Sequence, residues 1–219
     1  MTQKAIIPRI GALPHEASLV PQLLDSVGAE FNTISSVNWP DGYPYCHEAE
    51  FRIGWCPEGF VIHYRVSEQG VLARYAVDHD MVWTDSCVEF FIRNAESKTY
   101  YNIESNCVGT MVIGLRGAEF GVRPLAPNLM TQVKRWASLG REPFGHRDEP
   151  TRWELALVIP NTIFADYPIR LEAGTTLRAN VYKCGDDLPV PHFVSWSPID
   201  TPEPSFHQPT FFGEVTLGD

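Results

Sequence analysis

The chain has 219 residues and a formal net charge of −10 at pH 7, and 44% of its residues are hydrophobic against 20% that are charged. That composition is typical of a globular protein with a buried core, and the length favours one large domain over two. The negative charge argues against nucleic acid and against an anionic membrane surface as partners, since both require a basic surface on the protein.

The amino terminus, MTQKAIIPRI, has neither a long apolar region nor a small-residue cleavage site, so no signal peptide is predicted. No run of about 18 apolar residues occurs, so no membrane span is predicted either. The five cysteines are an odd number without tight spacing, which does not indicate a disulfide framework. A cytoplasmic location is therefore expected, and an unusual export route remains open.

In chain order, the first regular element predicted is a short helix over Leu19 to Val27, ending at Gly28. Alternating runs follow and predict strands. In FVIHYRVS, residues 60–67, the apolar side chains fall on one face of a strand, and His63 and Arg65 fall on the other. Because successive side chains of a strand point to opposite faces, the apolar face is expected to lie in the core.

The later runs TYYNIES, TMVIGLR, TRWELALVIP, TLRANVYKC and FFGEVTL bring the total to roughly ten short strands. A single helical turn is predicted just after Pro160. Strands at this density with so little helix predict an all-β fold, an antiparallel β-sandwich or jelly roll with long loops and at most one or two short helices.

The whole chain, residues 1–219, is predicted to be one such domain, with residues 1–30 as an extension packed on it. Pro-rich or Gly-rich segments at 36–48, 116–128 and 185–210 are predicted to be long loops. Loops at the end or edge of a sandwich carry function more often than strands do, so these segments are candidates for lining a site.

One strand contains an unexpected residue. In WTDSCVEFFI, residues 83–92, Glu89 stands among Val, Phe and Ile, with Trp83 six positions upstream. Val88, Phe90 and Ile92 are expected to face the core, so Glu89 and Phe91 are expected to face away from it. A carboxylate in such a place suggests a polar groove on the outer face of the sheet.

The ordered motifs WTDSCVEFFI, YYNIESNCVGTM, WELALVIP, LRANVYKC and SWSPIDTPEPSFHQPTFFGEVTL resemble the family 9 carbohydrate-binding modules, within the wider DOMON-like group. The resemblance runs from about Phe31 to Leu217. It implies a β-sandwich that binds sugars, often the ends of plant-polysaccharide chains, between two tryptophans. Trp83 matches the first tryptophan, Glu89 matches the polar residue beneath it, and Trp196 resembles the second tryptophan.

The remaining candidate ligands come from neighbouring strands. Asn102, Arg178 and Asn180 are expected to line the same face as Glu89, where carboxylate, amide and guanidinium groups could bind sugar hydroxyls. Asp85 is included in the candidate site, with the capping of a turn as its alternative role. The predicted partner is a mono- or oligosaccharide, and self-association as a homodimer is left open.

Three other functions remain open at this stage. The first is a glycoside hydrolase with Asp85 and Glu89 as paired carboxylates. The second is a haem-binding redox domain of the DOMON type, for which Met111 and Met130 are available as ligands. The third is a scaffold whose aromatic groove binds a protein. The favoured interpretation is binding without catalysis, with no catalytic residue assigned.

No cofactor and no metal ligand are predicted from the residues themselves. The histidine spacing matches no zinc signature. The family resemblance brings a structural calcium ion into consideration, although no acidic loop of the EF-hand type marks a place for it.

Overall fold

The computed structural model describes residues 2–219. Its strands are β1 (Lys4–Ile7), β2 (Asn32–Thr33), β3 (Ser36–Val37), β4 (Glu48–Cys56), β5 (Gly59–Ala73), β6 (Cys87–Asn94), β7 (Tyr100–Asn106), β8 (Met111–Gly117), β9 (Gly121–Pro124), β10 (Lys134–Ala137), β11 (Phe144–Pro160), β12 (Thr176–Cys184), β13 (Phe193–Ser195) and β14 (Gly213–Leu217). The helices are α1 (Val20–Ser26) and α2 (Pro127–Met130), with 3₁₀ turns at Ala17–Leu19, Val82–Thr84, Asn161–Phe164 and Pro209–Phe211. Within residues 2–219, no helix has the length and apolar character needed to cross a membrane.

The strands form two sheets. The nine-stranded sheet has the order β1-β14-β12-β6-β7-β8-β9, and β13 and β3 extend it beside the far half of β12. The five-stranded sheet has the order β10-β11-β5-β4-β2. Among the described strand pairs, β1 with β14 is parallel and the others are antiparallel. The prediction of an all-β antiparallel sandwich is confirmed.

The main core lies between the two sheets and draws apolar side chains from both. Alternation sets which side chains enter it. Phe60, Ile62 and Tyr64 of β5 face inward, and so do Phe90 and Ile92 of β6, as their positions in the alternating runs predict. Phe60 and Phe90 meet edge to face, with ring centroids 6.1 Å apart. Glu89 must therefore point to the opposite face of the nine-stranded sheet.

The amino-terminal segment packs on the outer face of the five-stranded sheet. Ile10, Val20 and Leu24 pack there against strand residues that include Val61. Helix α1 ends just before Gly28, which has a φ of +65° and so suits glycine at a helix end. The predicted helix is confirmed. A single domain over 1–219, with 1–30 as an extension packed on it, stays a prediction.

A second apolar cluster lies on the outer face of the nine-stranded sheet, and we call it the outer-face cluster. Phe91 of β6, Tyr100 of β7 and Tyr182 of β12 form its floor, and Phe206 and Phe212, from the segment after β13, cover it. Tyr182 and Phe206 stack with ring centroids 4.2 Å apart. The long carboxy-terminal segment is thus held against the sheet by aromatic contacts.

The sequence predicts roughly ten strands, and the structure has fourteen. The additional strands are short, and three of them lie in segments predicted as loops: β3 in 36–48, β9 in 116–128 and β13 in 185–210. A strand of two to four residues is too short for an alternating pattern to be recognised in the sequence. Such a strand forms because a neighbouring strand pairs with it. The single turn predicted after Pro160 is confirmed as the 3₁₀ turn Asn161–Phe164.

Candidate functional site

A pocket of about 290 Å³ opens on the outer face of the nine-stranded sheet, beside the outer-face cluster. We call it the outer-face pocket. Strands β6, β7, β8 and β12 supply its floor, and the turn before β6 and the segment after β13 supply its walls. Its lining consists of Trp83, Glu89, Glu104, Val112, Arg116, Cys184, Asp186, Phe193, Pro204, Ser205, Phe206 and His207.

Trp83 forms one wall. It lies in the 3₁₀ turn Val82–Thr84 immediately before β6, and its side chain is half-buried. Its backbone carbonyl accepts a contact of 3.5 Å from the Cys184 thiol, which ties the turn to β12. An indole held at the rim of a pocket in this way is an available apolar plate for a ligand.

Glu89 lies on the floor and is only 4% exposed. Its register neighbours are Glu104 on β7 and Tyr182 on β12. Its Oε1 accepts the Cys184 thiol hydrogen at 3.2 Å. Burial raises the pKa of Glu89 well above its usual value, and the neighbouring Cys184 and Glu104 raise it further.

Glu104 is the second buried carboxyl of the floor, and a short polar network orients it. Asn102 donates to Glu104 Oε1 at 2.8 Å and accepts from Arg116 Nε at 3.1 Å. Burial raises the pKa of Glu104 to about 7, although the Asn102 hydrogen bond and the Arg116 charge lower it. Asn102 therefore acts behind the pocket, by holding Glu104 and Arg116 in place.

Three acids thus share one pocket without an ion pair. Burial also raises the pKa of Asp186 to about 6, and the charge of Asp187 adds to the effect. Among residues 2–219, no side-chain Lys, Arg or His nitrogen lies within the 4.0 Å ion-pair limit of Glu89, Glu104 or Asp186. Buried carboxyls without a cation are costly, so their position at a cavity indicates that a ligand supplies the missing partners.

His207 closes the pocket on the side of the carboxy-terminal segment. It stacks on Phe91 with ring centroids 5.0 Å apart, and its Nδ1 lies 3.1 Å from the hydroxyl of Tyr100. His207 is exposed at the rim of the pocket, and its packing against Phe91 together with the Arg116 charge lowers its pKa below the usual value. The imidazole is therefore neutral at pH 7, when it can hydrogen-bond but adds no charge to the pocket.

A larger groove of about 800 Å³ lies on the five-stranded sheet. Three of its charged groups pair with one another, since Arg65 lies 3.8 Å from both Glu50 and Glu154. Trp153, the one tryptophan that borders it, is 1% exposed. The smaller outer-face pocket combines an accessible indole with unpaired carboxyls and is the better candidate.

The family model described as carbohydrate-binding family 9 matches residues 18–217. The chain belongs to carbohydrate-binding family 9. The match covers the five-stranded sheet, the nine-stranded sheet apart from β1, and every residue that lines the outer-face pocket.

Solved structures agree with that assignment. A protein from Bacteroides uniformis that has been proposed to bind carbohydrate is 39% identical, with a TM-score of 0.94 over 99% of this chain and 100% of that one. A family 9 module from Caldicellulosiruptor kristjanssonii, solved with glucose, is 13% identical, with a TM-score of 0.59 over 99% of this chain and 97% of that one. The same kind of module solved with cellotriose is 13% identical, with a TM-score of 0.60 over 99% and 94% of the two chains. The last two likenesses concern the fold. None of the curated proteins matches the chain.

In this family 9 chain, the predicted pair of tryptophans is not formed. Trp196 is 4% exposed and belongs to the core between the sheets, where it meets Phe51 edge to face at 5.7 Å. Val194 and Trp196 alternate on the inward side of the chain, while Phe193 points outward to the pocket. The prediction for Trp196 is therefore wrong, because the register of β13 places the indole inside the sandwich.

Asp85 is also misplaced as a ligand. Its carboxylate is fully buried and accepts from the backbone nitrogens of Arg74 at 2.9 Å and Tyr75 at 3.2 Å, and from Asn106 Nδ2 at 3.0 Å. These bonds fix the chain that follows β5. Asp85 therefore stabilises local backbone structure, which is close to its alternative predicted role of capping a turn. Because Asp85 does not line the pocket, it cannot form a catalytic pair with Glu89 there.

The two residues predicted on β12 do not reach the pocket either. Asn180 is buried, donates to the Ser197 carbonyl at 2.9 Å and accepts from the Ser197 amide at 2.8 Å, so it holds the segment after β13. Arg178 lies 3.6 Å from Glu214 of β14, near the opposite end of β12 from Cys184. Both share a sheet with Glu89, but the pocket spans only the other end of that sheet.

Most of the pocket lining was not singled out for binding by the sequence, and four of these side chains are Glu104, Arg116, Phe193 and His207. Glu104 could have been found, since it alternates with Asn102 along β7. The other three depend on which strands become neighbours and on how the carboxy-terminal segment folds over the sheet. Alternation within a strand carries no information of that kind.

The methionines considered for haem, and the side-chain clusters with metal-ligand spacing, do not suit haem or calcium. Met111 and Met130 are both buried in the core between the sheets, and neither lines the outer-face pocket. Among residues 2–219, two side-chain clusters have metal-ligand spacing: His47, Glu68 and His192, and Cys87, Glu89 and Cys184. Neither is the oxygen-rich set that calcium prefers. The family's calcium ion does not fit these clusters.

Proposed function

We propose that this chain binds carbohydrate without catalysing a reaction, and that one sugar ring occupies the outer-face pocket. The ring would lie against Trp83, with its hydroxyl groups directed at Glu89, Glu104 and Arg116. The observation that carries the proposal is the combination of an accessible indole with buried carboxyls that have no ion-pair partner in the described chain. Membership of carbohydrate-binding family 9 supports it.

The chemistry of a sugar suits this arrangement. A pyranose ring has an apolar C–H face that packs on an aromatic plate, and removing that face from water is favourable. Its hydroxyls must then find partners, since a buried hydroxyl left unpaired is costly. Carboxylates accept from hydroxyls, and the Arg116 guanidinium can donate to them.

A second aromatic contact is available from a different residue than the sequence suggests. Phe193 is half-buried, lines the pocket and is braced by Tyr43 at a centroid distance of 4.8 Å. Phe193 would take the place predicted for Trp196. A phenyl ring offers less area than an indole, so Trp83 is expected to contribute more of the affinity.

The size of the pocket favours a small ligand. Its volume of about 290 Å³ is at the lower end for ligand sites. A single ring, such as a glucose-like hexose or the end unit of a longer chain, is therefore the proposed ligand. The complexes of the Caldicellulosiruptor module with glucose and cellotriose make these two the first ligands to try. An open site of this size is expected to bind with a Kd of about 10⁻³ to 10⁻⁶ M.

The test is a titration with soluble mono- and oligosaccharides in the presence of a chelator, followed by tryptophan fluorescence and by calorimetry. Trp83→Ala and Glu89→Gln should abolish or weaken the response. Trp136→Phe is the matched control, because Trp136 lies on β10 at the edge of the other sheet. A folded wild-type chain that responds to no sugar, or a response that survives both pocket variants, would overturn the proposal.

The pocket also supports a second candidate, glycoside hydrolysis with Glu89 and Glu104 as the pair of carboxyls. The favouring observation is that both have raised pKa values and are neighbours across β6 and β7. Aryl glycosides distinguish the two functions. Release of the aryl group that is lost in both Glu89→Gln and Glu104→Gln would establish catalysis, and binding without release would establish the first proposal.

A further inference from the structure

Two cysteines and a glutamate meet beneath the outer-face pocket. Cys87 and Cys184 face each other in register across β6 and β12, and Glu89 follows Cys87 by two positions on the same face of β6. The two Sγ atoms and a carboxylate oxygen all lie within 4.8 Å of one another. The thiol of Cys184 already contacts Glu89 Oε1 at 3.2 Å.

This geometry fits a small tetrahedral cation. Zinc binds thiolate sulfur at about 2.3 Å and carboxylate oxygen at about 2.0–2.2 Å, which places its ligands about 3.5–3.8 Å apart. The three groups need only small shifts to reach that spacing. Thiolates also select soft and borderline cations over magnesium or calcium.

The surroundings of the cluster favour a cation as well. Glu89 is 4% exposed, and among residues 2–219 it has no ion-pair partner within the 4.0 Å limit. Asp186 lines the same pocket and adds a further carboxyl near its opening. A buried acid beside two thiols and a second acid is an electrostatic arrangement that a divalent cation would relieve.

We propose that Cys87, Cys184 and Glu89 form a binding site for a divalent cation of the zinc class, which opens into the outer-face pocket. The pocket leaves the fourth coordination position free for water or for the Asp186 carboxylate. Binding would release the thiol protons to solvent, because thiolates are the ligands.

The other cluster with metal-ligand spacing does not compete. His47, Glu68 and His192 lie inside the sandwich, but the ammonium of Lys183 already stands among them. Its Nζ lies 2.9 Å from Glu68 Oε2 and 2.7 Å from His192 Nε2. The protein's own cation thus occupies the place that a metal would take. That ammonium approaches Cys184 only through its backbone carbonyl, at 2.9 Å, and within residues 2–219 no cationic side chain forms an ion pair with Glu89 beside the two thiols.

The proposed cation has a consequence for sugar binding, and this part rests on the proposed function. Glu89 would be a ligand of the metal and also an acceptor for a sugar hydroxyl. One carboxylate cannot serve both fully, and a cation with its fourth ligand would intrude into a pocket of about 290 Å³. Metal and sugar should therefore weaken each other's binding, by the same factor in both directions.

The experiment begins without sugar. The Cys46→Ser chain is the background, since Cys46 is the exposed cysteine. Cd²⁺, Co²⁺ and Zn²⁺ are added in turn while sulfur-to-metal charge-transfer absorbance, the visible cobalt bands and calorimetric heat are followed. We expect one metal ion per chain. Cys87→Ser and Cys184→Ser should each weaken binding at least about tenfold, since changes beyond the ligand shell alone cost 10–100-fold.

Cys56→Ser is the matched control. Cys56 is equally buried, but it lies on the other sheet, in the apolar cluster that includes Ile10, Val20 and Leu24. His47→Phe tests the rival cluster. The proposal is overturned if no charge-transfer band forms, if Cys87→Ser and Cys184→Ser bind as the background does, or if His47→Phe alone removes the metal. Circular dichroism checks that each variant is folded, and Glu89→Gln, which spares both thiols, should weaken binding by itself.

Sugar enters only in a second step, so the two proposals fail separately. A metal site that forms normally in a chain that binds no sugar would leave the cation proposal standing and remove the proposed function. Sugar binding in the presence of chelator, in a chain that binds no metal, would leave the proposed function standing and remove the cation proposal. If both ligands bind, an unchanged sugar Kd at saturating Zn²⁺ would contradict the competition.

Discussion

Glu68 and Glu89 are both buried carboxylates in this sandwich, and their surroundings differ in one decisive respect. Glu68 of β5 lies in the interior, where its Oε2 is 2.9 Å from the Lys183 ammonium and its Oε1 accepts from Trp153 Nε1 at 2.6 Å. Glu89 of β6 lies on the outer face of the other sheet, where its contacts are a thiol and other acids. One carboxylate has its cation within the protein, and the other faces a cavity.

The presence or absence of a cation within the protein distinguishes an acid that serves the fold from an acid that is available to a ligand. Lys183 donates to the Cys184 carbonyl at 2.9 Å and contacts His192 Nε2 at 2.7 Å, so the ammonium has three partners. Its contact with Glu68 Oε2 is an ion pair without hydrogen-bond alignment, and both ring nitrogens of His47 lack a partner. Such a group can only stabilise or fix the fold. A buried acid whose partners are missing from the protein is suited to obtaining them from a ligand.

The largest effect is expected from breaking the interior pair. Lys183→Met removes the ammonium and leaves the Glu68 carboxylate buried without a cation, at a cost of about 3–5 kcal/mol in the free energy of unfolding. Urea unfolding measures it. Lys183→Met combined with Glu68→Gln should recover part of the loss, since the second change removes the stranded charge. A single variant as stable as the wild type would show that the pair does not matter for the fold.

The next effect is expected from truncating, one at a time, the two tryptophans that the sequence predicts to form a pair. Trp196→Ala should cost about 3–5 kcal/mol of stability, because it empties a buried core position, and the folded protein should keep its sugar affinity. Trp83→Ala should show the opposite pattern, with a stability loss below about 2 kcal/mol and at least a tenfold weaker sugar affinity, which is about 1.4 kcal/mol. Equal effects of both variants on affinity would restore the predicted tryptophan pair.

A smaller effect is expected from pH. The pKa of Glu104 is raised from 4.5 to about 7 in the folded chain, so the folded state keeps a proton that the unfolded state has lost. Stability from this group is therefore full below about pH 4.5 and is lost as the pH rises through 7. The raised pKa of Asp186, about 6, acts with the same sign. Sugar affinity should rise over the same range, because the ionised carboxylate is the better acceptor.

The window for that measurement follows from the histidine beside the pocket. The pKa of His207 is lowered below its usual 6.5, so it makes stability rise with pH below 6.5. Between pH 6.5 and 8 the carboxyls act without that opposing effect. The free energy of unfolding should fall with pH in this window, and Glu104→Gln should reduce the slope to the part that Glu89 contributes, since the pKa of Glu89 is also raised well above its usual value. An equal slope in Glu104→Gln would show that this carboxyl is not the group that titrates.

The fold could be predicted from the sequence because alternation reports directly on burial. Phe60, Ile62 and Tyr64 face the core in the structure as they do in the alternating run, and so do Phe90 and Ile92 on β6. Glu89 then has only the outer face available to it. The short strands escaped prediction because pairing, and not their own residues, makes them strands. Ser36–Val37 of β3 exists only because it pairs with β13.

The site could be predicted only as far as one strand and its turn. Trp83 and Glu89 lie together because a fixed local path joins them, and the structure places both at the pocket. The prediction that Trp196 lines the site is wrong. A shift of one residue in the register of β13 decides whether Phe193 or Trp196 points outward, and the sequence does not show that register. Arg116 and His207 come from distant segments, and their approach to Glu89 depends on strand order and on the aromatic cover over Tyr182.

The smallest effect tests the far end of the same sheet. Arg178 was expected to line the groove, but it contacts Glu214 at 3.6 Å with its side chain 32% exposed. A partly exposed ion pair at 3.6 Å contributes about 0–1 kcal/mol, so Arg178→Ala should change stability by about that amount. In Arg178→Ala, sugar affinity should stay within about twofold of the wild type. Arg116→Ala removes a guanidinium from the same sheet and is the matched comparison. It should weaken sugar binding at least about tenfold, since truncating a charged hydrogen-bonding partner costs about 1.5–3 kcal/mol. If Arg178→Ala matched Arg116→Ala, the ligand would have to extend along β12 toward β14, and the pocket would be only one end of a longer groove that binds a chain of several sugars.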